Sequence, residues 1–197
     1  MILEVPEGSA KVLLHCCCAP CSGAIIECMD ANGLKPVIFF SNSNISTREE
    51  YEKRLAEVRR YASEFGLDVV DDAYDHKSWL EAVKGLEWEP ERGRRCEACF
   101  RFRLERAARY AAENGFGVLT TSLASSRWKN LGQVNAAGEN ACSAEPGVCW
   151  WPQNWRKGGL QPRRGEIIRE QNFYNQNYCG CEFSAREEES QPISLID

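Results

Sequence analysis

A chain of 197 residues with 43% hydrophobic residues is long enough for one well-cored domain, and one domain over residues 1–185 with a polar tail over 186–197 is the expectation. A formal net charge of -5 excludes a chain that is basic throughout, although the cationic segment ERGRRCEACFRFRLERAARY leaves room for a local face that meets phosphate. No run approaches the roughly 18 uninterrupted apolar residues of a membrane span, and the start MILEVPEGSAKVLLHCCC lacks the basic leader of a secretory signal, which predicts a cytoplasmic protein without a membrane partner.

In chain order, strands alternate with helices. KVLLHC reads as a short buried strand, SGAIIECMDANG as a helix and KPVIFFS as a second strand. STREEYEKRLAEVRRYASEFG is a helix with Ser46 or Thr47 as N-cap and with Tyr51, Leu55, Val58, Ala62 and Phe65 on one face. LDVVDDAY is a third strand, HKSWLEAVKG a short helix and CEACFRFRLERAARYAAENG a longer one. FGVLTTSLA is a fourth strand and NLGQVNAAGENA a further helix, after which Cys142 to Gly165 shows no clear period. The alternation predicts an α/β fold, a parallel sheet flanked by helices on both faces. In such sheets the site lies beyond the carboxyl ends of the strands, where HCCCAPC, SNSN, DDAYDH and SLASSRWKN are all expected.

The chain carries 11 cysteines. In a reducing compartment they read as metal ligands or redox groups before disulfides. Three clusters stand out: Cys16, Cys17, Cys18 and Cys21; Cys96 and Cys99; Cys179 and Cys181. The helix dipole and the neighbouring Arg94, Arg95 and Arg101 are expected to lower the pKa of Cys96 and Cys99. Cys28 belongs to the apolar face of the first helix, and Cys142 and Cys149 flank a loop. The eight remaining thiols exceed what one tetrahedral zinc takes, so an iron–sulfur cluster with thiolates left for a second metal accounts better for them. A zinc-stabilised RNA-binding module is one rival. A cluster-containing tRNA thiolase is another, against which stands the absence of a glycine-rich phosphate cradle after the first strand.

LLHCCCAPCS, PERGRRCEACFRFRLERAA, LTTSLASSRWKN and YCGCEFS, in this order, resemble the epoxyqueuosine reductases of the QueH type from about Lys11 to Ser184. The resemblance implies the last step of queuosine biosynthesis, a cobalamin-independent two-electron deoxygenation of epoxyqueuosine at the tRNA wobble position, served by an unidentified electron donor. It also implies a Rossmann-like parallel sheet flanked by helices, with a Cys-rich metal-binding C-terminal segment, and a 4Fe-4S cluster with an additional mononuclear iron, held by Cys17, Cys18, Cys21, Cys96, Cys99, Cys179 and Cys181. Family members can have Asp at the position of Cys21, which points to Cys21 as an iron ligand, and Cys16 reads as a bystander. The chain departs from the pattern at FSNSNI, at SSRWKN, which keeps Lys129 and Asn130, and at ACSAEPGVCWWPQNWRKGG.

Candidate proton donors on the expected rim are His15, Asp72, Tyr74, Asp75 and His76, with Lys129 as an anchor for phosphate or the epoxide oxygen. Cys21, His15, Lys129 and Asp75 are thus the expected catalytic group. For the anticodon loop of tRNA the candidates are Arg94, Arg95, Arg101 and Arg103, a second patch at Arg163 and Arg164, and Trp155 as a base clamp.

Overall fold

The structure is a computed structural model that describes residues 1–6 and 11–184; the expected tail over 186–197 lies outside the described residues. Among these, the strands β1 (Val12–His15), β2 (Val37–Phe40), β3 (Val69–Asp71), β4 (Val118–Thr121) and β5 (Cys149–Trp150) form one sheet in the order β3-β2-β1-β4-β5. Every pairing is parallel, with His15 opposite both Phe39 and Thr121. β1 and β4 are buried along their whole length, as central parallel strands covered on both faces must be.

Alternation along the strands divides the core. Val12, Leu14, Ile38, Phe40 and Val118 face one side, covered by α1 (Ala19–Ala31), α2 (Arg48–Glu64) and α6 (Leu160–Glu170). Leu13, Phe39 and Leu119 face the other, covered by α4 (Arg94–Glu113) and α5 (Leu131–Ser143). The short α3 (His76–Ala82) lies beside α4. The expected face of α2 is the one that packs, with Tyr51, Leu55, Val58 and Ala62 all buried. Thr47 is its N-cap, accepting the Glu50 N–H at 3.2 Å.

Some boundaries differ from expectation. The fourth strand stops at Thr121, where the Thr121 side chain caps a 3-10 turn, Ser122–Ser125. β5 and α6 lie within or beyond the stretch that shows no period. Cys28 is in the core as expected. No helix among the described residues is long and apolar enough to cross a membrane.

Candidate active site and metal centre

The strand order reverses between β1 and β4, which opens a crevice at their carboxyl ends. The loop after β1 and the turn after β4 line it and brace each other. The Cys17 N–H donates to Ser122 Oγ at 2.9 Å, the Ser122 hydroxyl faces Cys17 Sγ at 3.3 Å, and the Ser125 hydroxyl donates to the Cys21 carbonyl at 2.9 Å. α1 starts at once, with Cys18 as N-cap and Pro20 in the first turn, so Cys18 and Cys21 stand one helical turn apart.

A cavity of about 510 Å³ fills this crevice, and Cys17, Cys18, Cys21, Cys96 and Cys179 all line it. Cys99 and Cys181 are buried together beside it with Trp79. The three cysteine motifs, distant in sequence, therefore converge. Cys16 does not join them: its side chain packs with the opposite core, hydrogen-bonds Ser22 Oγ at 2.8 Å, and stays a neutral thiol because burial drives its pKa up. Cys142 is buried in the α4–α5 core, where burial pushes its thiol up to about 12; neither it nor the exposed Cys149 lines the cavity.

The CGC loop is positioned by an unforeseen residue. Arg54, only 2% exposed, pairs with Glu50 at 2.6 Å and donates from Nη1 to the Cys179 carbonyl at 3.1 Å. Gly180, at φ +103, lets the loop lie against it, since a Cβ there would stand 2.9 Å from Ile45 and 3.1 Å from Arg54. The Ser46 N–H closes the junction on the Gly180 carbonyl at 3.0 Å. An arginine three residues after Tyr51, inside the apolar stripe of α2, was the available signal.

The donor set suits a thiophilic metal. The sulfur atoms of Cys17, Cys18 and Cys21 lie within 4.8 Å of one another and are buried. Hydrogen bonds from Cys17 and Cys18, with Lys129 and Arg164 nearby, hold Cys21 well below the usual thiol range. The Cys181 hydrogen bond does the same for Cys179, again with Lys129 close by. Thiols that share protons in this way exchange them readily for a soft or borderline cation. Cys96 and Cys99 differ from expectation: burial raises both, because Arg94 turns toward Glu89 and Arg101 toward Glu105, leaving too little cationic field to offset the lost solvation. The buried Trp79 Nε1 has no nitrogen or oxygen partner, and its N–H favours the Cys99 thiolate.

Lys129 lines the cavity. Burial opposes its charge, but Cys17, Cys21 and Cys179 outweigh that and raise its pKa. The other expected acid–base groups serve the scaffold. His15 is fully buried between Thr121 Oγ1 at 2.7 Å and the Ser41 carbonyl at 3.1 Å. Burial and Arg103 lower its pKa to about 3, so as placed it is a neutral link between β1, β2 and β4. Asp75 caps α3 by accepting from the Ser78 N–H and hydroxyl, and those bonds lower its pKa. Asp72 grips Arg106 at 2.6 and 2.7 Å. Tyr74 donates to the Ile45 carbonyl, and His76 sits between the Ser43 carbonyl and Glu182. None of these five lines the cavity.

The cations are re-sorted as well. Arg95 is buried on the carbonyls of Glu87, Glu89 and Phe183. Arg163 is tied to Glu27, Glu166 and Glu170, and Trp155, 1% exposed, packs edge-on against Trp151. These three are structural as placed, and not arranged to meet RNA. Arg94 and Arg101 face a separate groove between α4 and α5. Arg103 and Arg164 do line the cavity, Arg103 held by Ser41 and Asn42 and Arg164 by the Pro20 carbonyl. Arg54, Arg92, Arg127 and Lys129 complete its cationic wall.

The chain matches the family model for "Epoxyqueuosine reductase QueH" over residues 12–187. Relatives bearing that name include one from Haemophilus influenzae, 46% identical over 94% of this chain and 76% of its own length. One from Acinetobacter baylyi is 46% identical over 94% and 85%. One from Thermotoga maritima is 37% identical over 89% and 91%.

Proposed function

The chain belongs to the epoxyqueuosine reductase QueH family, and from that membership we infer that it is itself an epoxyqueuosine reductase acting on tRNA in the last step of queuosine biosynthesis. The observation that carries the reading to this structure is the meeting of three cysteine motifs on one cation-lined cavity. In the reaction both C–O bonds of the epoxide break, an alkene forms, and the oxygen leaves as water with two electrons from an external donor and two protons.

We propose that Cys17, Cys18, Cys21, Cys96, Cys99, Cys179 and Cys181 hold a 4Fe-4S cluster and an adjacent mononuclear iron, with Cys21 on the iron. When bound, this pair supplies electrons singly and a Lewis acid for the departing oxygen. The thiol chemistry supports the assignment, since hydrogen-bonded thiols already share protons within both the first and the last motif. Lys129 faces Cys17, Cys21 and Cys179, where its charged Nζ orients the epoxide oxygen and delivers a proton to it. Phe100 and Tyr178 wall the same cavity and limit water around the reacting carbons.

The test is conversion of epoxyqueuosine to queuosine in tRNA by anaerobically reconstituted protein. The expected preparation is brown and active, and Lys129→Met keeps its iron and sulfide while losing about 100-fold or more in kcat. A colourless protein that holds zinc and converts nothing would replace this reading with the non-catalytic RNA-binding one.

A further inference from the structure

We propose that Trp128 is the stacking platform for the nucleobase next to the wobble nucleotide. This inference rests on the reading of tRNA as substrate.

Trp128 lines the cavity yet is 56% exposed, with the Arg127 guanidinium over its ring at 5.2 Å. A loop that presents so large an apolar side chain is normally free to fold it away, but this one is held at nearly every carbonyl. Gln161 donates to the Ser125 carbonyl at 2.6 Å. Arg156 Nη2 donates to the carbonyls of Ser126 and Lys129 at 2.6 and 2.8 Å. Arg92 donates to those of Arg127 and Trp128 at 3.0 and 3.1 Å. Arg92 is itself in the left-handed region, at φ 68, and its own carbonyl accepts from Gln133 at 2.7 Å. Three side chains from distant segments thus converge to fix one short loop.

Fixing the loop fixes the point from which the ring projects, so no backbone entropy is lost when a flat partner settles on it. The partner's class follows from its surroundings. An exposed indole flanked by cations on a groove is the arrangement that takes a splayed base and its phosphate. The next residue, Lys129, faces the thiols, so a base on Trp128 directs its chain neighbour inward to the reacting site. Trp88 makes the contrast: it is 97% exposed and lines neither groove.

The experiment titrates tRNA bearing epoxyqueuosine into reconstituted wild-type, Trp128→Phe, Trp128→Ala and Trp88→Phe proteins of equal iron content, reading indole fluorescence and Kd. Wild type and Trp88→Phe should show the same quench and the same Kd. Trp128→Phe should lose most of the quench but bind within a few-fold of wild type, and Trp128→Ala should bind roughly 5- to 150-fold more weakly. Wild-type affinity in Trp128→Ala, or a full quench in Trp128→Phe, overturns the proposal. Conversion assayed on the same samples separates the two readings: wild type that converts beside an unaffected Trp128→Ala removes the platform alone, and a Trp128-dependent quench without conversion removes the reductase reading alone.

Discussion

Asp75 accepts both the N–H and the hydroxyl of Ser78 at the start of α3, and this determines what its replacement does. Asparagine can accept the same N–H, so Asp75→Asn should keep both stability and reductase activity. Asp75→Ala should lose about 0.5–2 kcal/mol in denaturant unfolding with turnover unchanged. Because the folded-state pKa is lowered, the carboxylate's contribution is present above the unfolded value and fades as pH falls through the folded one. A large loss of kcat in Asp75→Asn would return this residue to the acid–base chemistry. The contrast with Lys129 shows what residue-level reading can reach. Motif order pointed to the thiols and Lys129, whose positions are defined by neighbours in sequence, whereas Arg164 came from a basic patch outside those motifs and also lines the cavity. His15, Asp75, Arg95, Arg163 and Trp155 sit away from the cavity lining, because their placement depends on hydrogen bonds, ion pairs and packing that no local pattern displays.

At the scale of elements, α5 and β5 approach closely at one point. A Cβ on Gly138 would stand 2.4 Å from the Trp150 ring, so Gly138→Ala must push helix and strand apart. The expected cost is about 1–3 kcal/mol, read as a lower denaturant midpoint; a wild-type midpoint would show that the two elements have room to spare. The same region explains which elements were legible. The first four strands and the helices between them carry apolar runs or stripes of ordinary length. β5 has two residues and exists because the Cys149 and Trp151 N–H groups reach the carbonyls of Gly117 and Leu119, both at 2.8 Å. α6 contains Pro162 and Gly165 and buries only Leu160 and Ile167, so its period is faint. Its helicity comes from packing on α1, a tertiary effect.

For the whole molecule, a net charge of -5 coexists with a cationic cavity, so affinity for RNA has to come from where the charges sit. Replacing Arg127 and Arg164 by glutamine should flatten the dependence of tRNA binding on salt by roughly one unit of slope for each phosphate left without its cation. The same change at Arg94 and Arg101, which face the outer groove, should leave the slope as it is. Equal slopes for the cavity pair and wild type would mean that the RNA backbone passes elsewhere. The basic stretch in the sequence runs along α4, which turns part of its charge inward and part away from the cavity, so the rim draws on Arg92 just before that helix and on Arg54 and Arg127 from separate segments.

The CGC loop has a consequence in time as well as in space. Among the described residues the sheet is complete at Trp150 and its last covering helix at Glu170, whereas Cys179 reaches the cavity only once the CGC loop docks against Arg54 and Ile45. As the chain emerges from the ribosome, its scaffold can therefore form before the proposed metal centre can. Metal delivered before that would meet only five of the seven thiols proposed to hold it, and the segment after α6 supplies the other two.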